Sequence, residues 1–143
     1  MYAALRAIPI PDDVVARFFH AASLLREHRG DGHIAALMTE GVGGLEAHVL
    51  LALDQRMPAE KFGRIHHLPA AQLAAVIDGM RERGLIGEDG WLSEQGSAVK
   101  QRVEALTDDL AAKPYESLEP DELDELASTL EPLAKLLLAA QNY

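Results

Sequence analysis

Three features of the sequence predict a mainly α fold built around a winged helix-turn-helix, with a short β-hairpin wing and long flanking helices. Apolar residues recur at helical spacing along most of the 143 residues. A short, half-polar stretch, Ala59 to His67, is separated by Leu68-Pro69-Ala70 from a second, strongly periodic stretch, Ala71 to Arg83. That stretch runs into Gly84-Leu85-Ile86 and an Asp89-Gly90 turn, the order helix, turn, reading helix, hairpin.

Residues 1–10 read as an entry strap, because Pro9 and Pro11 would interrupt a helix of the signal type there. Pro11-Asp12-Asp13 places acids ahead of Val14, Val15, Phe18, Phe19, Ala22 and Leu25, which predicts a helix from about residue 11 to Gly30. A second, short helix is expected after Asp31-Gly32, with Ile34, Leu37 and Met38 on one face and Gly41 as its stop. Leu45, Val49, Leu50 and Leu53 mark a third, closed by Pro58. In the reading helix Leu73, Val76, Ile77 and Met80 point inward, and Gly84 stands where a left-handed C-terminal cap is wanted. Leu85-Ile86 and Trp91-Leu92 are expected to pair as two very short strands. Ser93 then caps a helix carrying Val99, Val103, Leu106 and Leu110, stopped before Pro114. The stripe Leu123, Leu126, Leu130, Leu133, Leu137 predicts a last helix from Asp121 to about Ala140, kinked or divided at Pro132. The chain is read as a single winged-helix domain over 1–143, with N-terminal helices in 11–57, the reading unit in 58–92 and C-terminal helices in 93–141.

Length and composition agree with one domain. Hydrophobic residues make up 48% of the chain, enough for a core without staples, and there is no cysteine. That removes disulfides, thiol nucleophiles and thiolate metal sites, and fits a cytoplasmic setting. No apolar run approaches the roughly 18 residues that span a bilayer, and the first residues lack the layout of a secretory signal, so no membrane partner is expected. The net charge is −10, but unevenly spread: residues 58–106 hold seven acids and six bases, whereas 107–143 hold nine acids and two. Any contact with a polyanion therefore falls to Lys61, Arg64, Arg81, Arg83, Lys100 and Arg102.

Two resemblances sharpen this reading. Arg81-Glu82-Arg83-Gly84-Leu85-Ile86, followed by Leu92-Ser93 and Gly96, resembles the corresponding pattern of MarR-type regulators. In those proteins the long flanking helices form the dimer, which implies a homodimer here through 11–29 and 94–141. Over nearly the whole chain, Ala21 to Leu37, Glu46 to Leu50, Arg102 to Ala111 and Leu130 to Ala134 look like the C-terminal half of the actinobacterial SalK-like helix-turn-helix family. That resemblance implies regulation, and implies that typical members carry a further, divergent N-terminal half.

The chemistry of the reading helix is sparse. Its first turns offer Ala71, Gln72, Ala74 and Ala75, of which Gln72 alone can pair with an adenine edge while the alanines reach only thymine methyls. Lys61 and Arg64 before it and Arg81 at its end are the candidate phosphate contacts, so the DNA-binding set is Lys61, Arg64, Ala71, Gln72 and Arg81. Glu88 and Asp89 at the wing tip oppose phosphate, and His66-His67 reads as a surface pair.

A second candidate site is the polar knot from Arg26 to His33, where Gly30 and Gly32 would let His28, Asp31 and His33 converge. Its bland reading has Asp31 capping the next helix and the arginines in surface pairs. Its functional reading is a pocket near the dimer axis for a small aromatic or acidic effector. The candidate ligand-binding residues are Phe19, His20, His28, Asp31, His33 and His48, with Phe18 and Trp91 beside them. For Phe18 and Phe19 the competing reading is simple core. The His and carboxylate spacing matches no metal signature, so neither metal nor cofactor is assigned. No Gly-rich phosphate loop, nucleophile elbow or spaced carboxylate pair is present, which argues against an enzyme. Two functions remain: a MarR-like, ligand-responsive regulator that binds DNA weakly or conditionally, or a winged helix that has lost DNA binding and holds a small molecule or a protein.

Overall fold

The computed structural model describes residues 1–140, in which six α-helices account for most of the chain. They are α1 (Tyr2–Arg6), α2 (Val14–Thr39), α3 (Gly44–Asp54), α4 (Ala70–Glu82), α5 (Glu94–Ala112) and α6 (Pro120–Ala140), with single 3-10 turns at Ala59–Lys61 and Lys113–Tyr115. Two compact units are distinguished, Met1–Ala111 and the segment from Ala112 onward.

In the first unit, α3 is the central helix. Val49, Leu50, Ala52 and Leu53 are buried along it, and they pack in one cluster with Ile65, Leu73, Met80, Leu85, Val99 and Val103. The helix starts because Glu46, in its first turn, turns back to accept the Gly43 N–H at 2.8 Å, the carboxylate half of a capping box.

α2 corrects the expectation of two helices. It runs unbroken through Gly30-Asp31-Gly32, capped at its start by the Asp13 carboxylate, which accepts the Ala16 N–H at 2.8 Å. Two interior glycines cost a helix about 1 kcal/mol each, less than breaking the ladder and orphaning several carbonyls. Gly32 also has a packing role: a Cβ there would lie 3.2 Å from Leu110 Cβ on α5. Asp31 caps no helix; its carboxylate accepts from the Met1 amino group and the Tyr2 N–H, holding α1 against α2. Of the large apolar residues of α2, Val14, Val15, Phe18, Phe19, Ile34 and Met38 are exposed and Ala36 is its one buried position, so Phe18 and Phe19 are not core.

The first helix of the reading unit is also shorter than expected. Ala59–Lys61 forms one 3-10 turn, and successive turns carry the chain to Pro69, with Phe62 and Ile65 as its buried anchors. α4 then begins within one residue of its predicted start and ends at Gly84, whose φ of +71° is the left-handed cap that a glycine supplies.

The β-hairpin wing is not formed. Among the described residues there is no strand, only one isolated antiparallel bridge between Ile86 and Leu92. The reason lies in the neighbouring backbone. The Leu85 N–H, which a longer ladder would pair with Ser93, is taken by the Met80 carbonyl at the end of α4. The Ser93 N–H to Leu85 carbonyl bond of 3.1 Å and the Gly87 N–H to Trp91 carbonyl bond of 2.8 Å make the single bridge, and the pairing goes no further. Ser93 caps α5 as the sequence indicates, accepting the Gly96 N–H at 3.0 Å.

In the second unit, α6 is a single helix that Pro132 does not divide, and its start is fixed by Glu122 accepting the Glu119 N–H at 2.9 Å. No residue of α6 is buried, so its leucine stripe is uncovered. Residue 141, the end of the predicted C-terminal segment, lies outside the described residues.

Gly96 explains the glycine that follows Leu92-Ser93. A Cβ at this position would stand 2.1 Å from the Leu85 carbonyl oxygen, a backbone atom that cannot swing away. Gly96→Ala is expected to destabilise the fold by about 3 kcal/mol, read from the urea midpoint at unchanged slope. Gly30→Ala, where a Cβ meets nothing within 4 Å, should instead be neutral or stabilising by up to about 1 kcal/mol. Equal effects from the two would contradict the packing described.

Candidate nucleic-acid interface and an adjoining cleft

The exposed face of α4 consists of Ala71, Gln72, Ala74 and Ala75, with Leu73 turned into the core. No acid lies in the first turn of α4, so its positive end is open to an anion. Gln72 is the only long polar side chain that those first turns expose.

The six cations of the central segment do not form one basic face. Arg81 bonds Asp78 at 2.9 Å, Arg83 bonds Glu46 at 2.8 Å, Lys100 bonds Glu104 at 2.6 Å and Arg102 bonds Glu40 at 2.7 Å. Among the described residues, Lys61 and Arg64 alone of the six have no carboxylate within bridging distance. Arg83 does structural work besides: it donates to Glu46 and to the Gly41 carbonyl, tying the end of α4 to the start of α3. At the wing position, the Asp89 carboxylate accepts the Trp91 N–H at 3.1 Å and is occupied by its own turn, and Glu88 is exposed. His66 bonds the Gly63 carbonyl through Nδ1 at 2.7 Å, and its ring meets His67 edge to face.

The polar knot of α2 is split by the helix that carries it. His28 lies edge-on to Tyr2 of α1, with its buried Nδ1 lacking a partner, and Asp31 holds the α1 backbone. His33 turns the other way and bonds Thr107 of α5 at 2.9 Å. The buried Thr107 hydroxyl donates its one proton to the Val103 carbonyl at 2.6 Å. His33 Nδ1 must therefore be the donor, which leaves Nε2 as the acceptor of the neutral ring.

His33 and His48 do come together, in a cleft of about 230 Å³ between α2, α3 and α5. Leu37, Leu51 and Val103 supply apolar wall, and Arg64, Lys100 and Glu104 supply charge. Phe19, His20, His28 and Asp31 do not line it. Trp91 belongs to a separate hollow with Ile77 and Arg81, and Arg56 stacks over its ring at 5.9 Å. Arg64, which the sequence assigns to DNA contact, and Lys100 and Glu104 are the charged cleft residues outside the expected ligand set. The spacing of four between Lys100 and Glu104 marks a shared helix face, but nothing local signals that this face meets His33. Among the described residues no three His, Asp or Glu side chains are grouped to hold a metal.

Burial holds the pKa of His33 below the ordinary imidazole value, with Arg29 and Lys100 adding to the effect and Glu104 opposing it. His48 is lowered in the same way, by burial first and by the Arg64 charge second. The carboxyl of Glu104 is held down chiefly by its bond to the Lys100 ammonium.

The sequence matches a helix-turn-helix family over residues 1–143. The chain belongs to that family. No curated protein and no solved structure matches it. No single helix among the described residues is long and apolar enough to cross a membrane.

The two lowered imidazoles give the helix-turn-helix protein a defined acid response. Between the lowered folded values and the unfolded value near 6.5, the unfolded chain binds protons that the folded one refuses. This contribution to stability is complete above about pH 6.5 and is lost as the pH falls through that window toward the folded values. Urea midpoints measured across that range should fall with pH, and the slope should shrink in the His33→Gln, His48→Gln double variant. An unchanged slope would show that other groups set the response.

Proposed function

We propose that the chain is a MarR-like transcription regulator that binds DNA as a homodimer, weakly and under conditions set by a ligand. The observation that carries this reading is the exposed face of α4, presented at the end of a helix-turn-helix by a chain whose family match covers its whole length. Lys61 and Arg64 are the free cations for phosphate, Gln72 is the base reader, and the open positive end of α4 favours a backbone contact near Ala71. The SalK-like and MarR-type resemblances support regulation, and the bare alanines support modest selectivity.

Dimerisation is supported by what the first unit leaves uncovered. Val14, Val15 and Phe19 are each at least 72% exposed near the start of α2, neighbouring apolar side chains of the kind that mark an interaction surface. In the second unit Leu136, Leu137 and Leu138 of α6 are exposed as well. Sedimentation should find a dimer at micromolar concentration, and Phe19→Glu should yield a folded monomer. A wild-type monomer would remove the two-fold geometry that two half-sites require.

DNA binding is tested by fluorescence anisotropy with a duplex from the chain's own promoter. Two free cations on each protomer give a dimer a slope of about −3.6 in log K against log salt. Lys61→Ala should flatten that slope by about 2 per dimer. Gln72→Ala should reduce discrimination between promoter and unrelated duplex by about 1–3 kcal/mol. The second reading, a module that no longer binds DNA, is favoured by the pairing of Arg81, Arg83, Lys100 and Arg102 with acids. Absence of binding at low salt decides for it.

A further inference from the structure

We propose that the cleft between α2, α3 and α5 is a binding site for a small monocarboxylic acid with a compact apolar body, whose carboxylate is held by Arg64. Size, charge and hydrogen-bonding capacity each narrow the ligand.

The volume of about 230 Å³ is below the roughly 300–1,000 Å³ of sites for drug-sized molecules, which limits the occupant to something near a single ring or a short branched chain. Leu37, Leu51 and Val103 line it, so the body of the ligand is apolar. The ionised groups are Arg64, Lys100 and Glu104, and the last two neutralise each other across 2.6 Å. With both imidazoles neutral, one positive charge remains, that of Arg64, which has no carboxylate partner among the described residues. One anionic group balances it, and a dianion would leave a charge over. A guanidinium is matched to a carboxylate by its planar fork of donors.

The imidazoles add a directional element. The Thr107 bond commits His33 Nδ1 as donor, so Nε2 is an acceptor that suits a hydroxyl or N–H of the ligand. Burial of both rings keeps them neutral near pH 7, which preserves that acceptor and the single net charge.

The site shares Arg64 with the proposed phosphate contact, and as an effector site it rests on the regulator reading. The test is therefore made on the protein without DNA, by titration calorimetry at neutral pH with benzoate and hexanoate, using benzamide as the uncharged probe. Either acid should bind at one site per chain, with benzamide weaker by about tenfold or more. Arg64→Gln, on an exposed turn, should remove that preference while leaving the melting temperature of the unliganded protein in place. Ala47→Leu, which narrows the cleft without altering charge, should weaken both kinds of probe. Equal binding of benzoate and benzamide, an unchanged preference in Arg64→Gln, or no heat from either acid at millimolar concentration would overturn the proposal. Loss of DNA binding alone would leave it standing.

Discussion

The backbone of Leu85 is the point on which the helix-turn-helix depends. Its N–H closes the end of α4 on Met80, its carbonyl accepts Ser93 at the head of α5, and the same carbonyl lies over Gly96. Gly84 at φ +71° turns the chain into this position, and the Leu85 side chain is almost fully buried in the core. Two helices and a loop are thus locked by one residue with both backbone groups used. The arrangement fixes which face of α4 is exposed, because Leu73 and Met80 must point inward when Leu85 is seated. The Leu85 N–H, held by Met80, is the group that a longer ladder would need, which is why the pairing stops at one bridge.

With α4 fixed, the electrostatics of the reading unit follow from which acids surround it. Arg83 is drawn to Glu46 and the Gly41 carbonyl, and so acts as a brace between α3 and α4. Arg81 and Arg102 are paired at the surface, where such bonds contribute about 0–1 kcal/mol and exchange readily for phosphate. The basic residues counted along the sequence are therefore not a basic surface in the resting chain. A polyanion meets Lys61 and Arg64 first and must compete for the others.

Local signals in the sequence were legible. The caps at Gly84 and Ser93, the existence of α3, the limits of α4 and its inward stripe were readable from residue type and period, whereas Asp13, expected in the first turn of α2, is its cap. Three features were not, each because a distant residue decides it. Gly30 and Gly32 look like a break until Leu110 is known to pack on Gly32, where a small residue is wanted inside a helix. The strands at 85–86 and 91–92 look fully paired until the Leu85 N–H is found on the Met80 carbonyl, which leaves a single bridge. The Arg26–His33 knot looks like one site until an unbroken helix sends His28 and His33 to different neighbours, Tyr2 and Thr107. Of the candidate ligand residues, His33 and His48 share a cleft, and its charged wall comes from Arg64 before α4 and from the Lys100–Glu104 pair on α5, which no local pattern relates to them.

The same geometry places Arg64 in two settings at once. It lies on the turns that precede α4, where a phosphate contact would be made, and it lines the cleft beside His48. An anion in the cleft and a phosphate at the reading unit would draw on one guanidinium, and a side chain satisfied by one is withdrawn from the other. Differential affinity for two states is what a ligand needs in order to shift an equilibrium. Among the described residues Lys61 and Arg64 alone of the six central cations lack a carboxylate partner, so in the proposed regulator diverting Arg64 would remove one of the two phosphate contacts on each protomer. Conditional binding then requires no large rearrangement of the helices, only competition for Arg64.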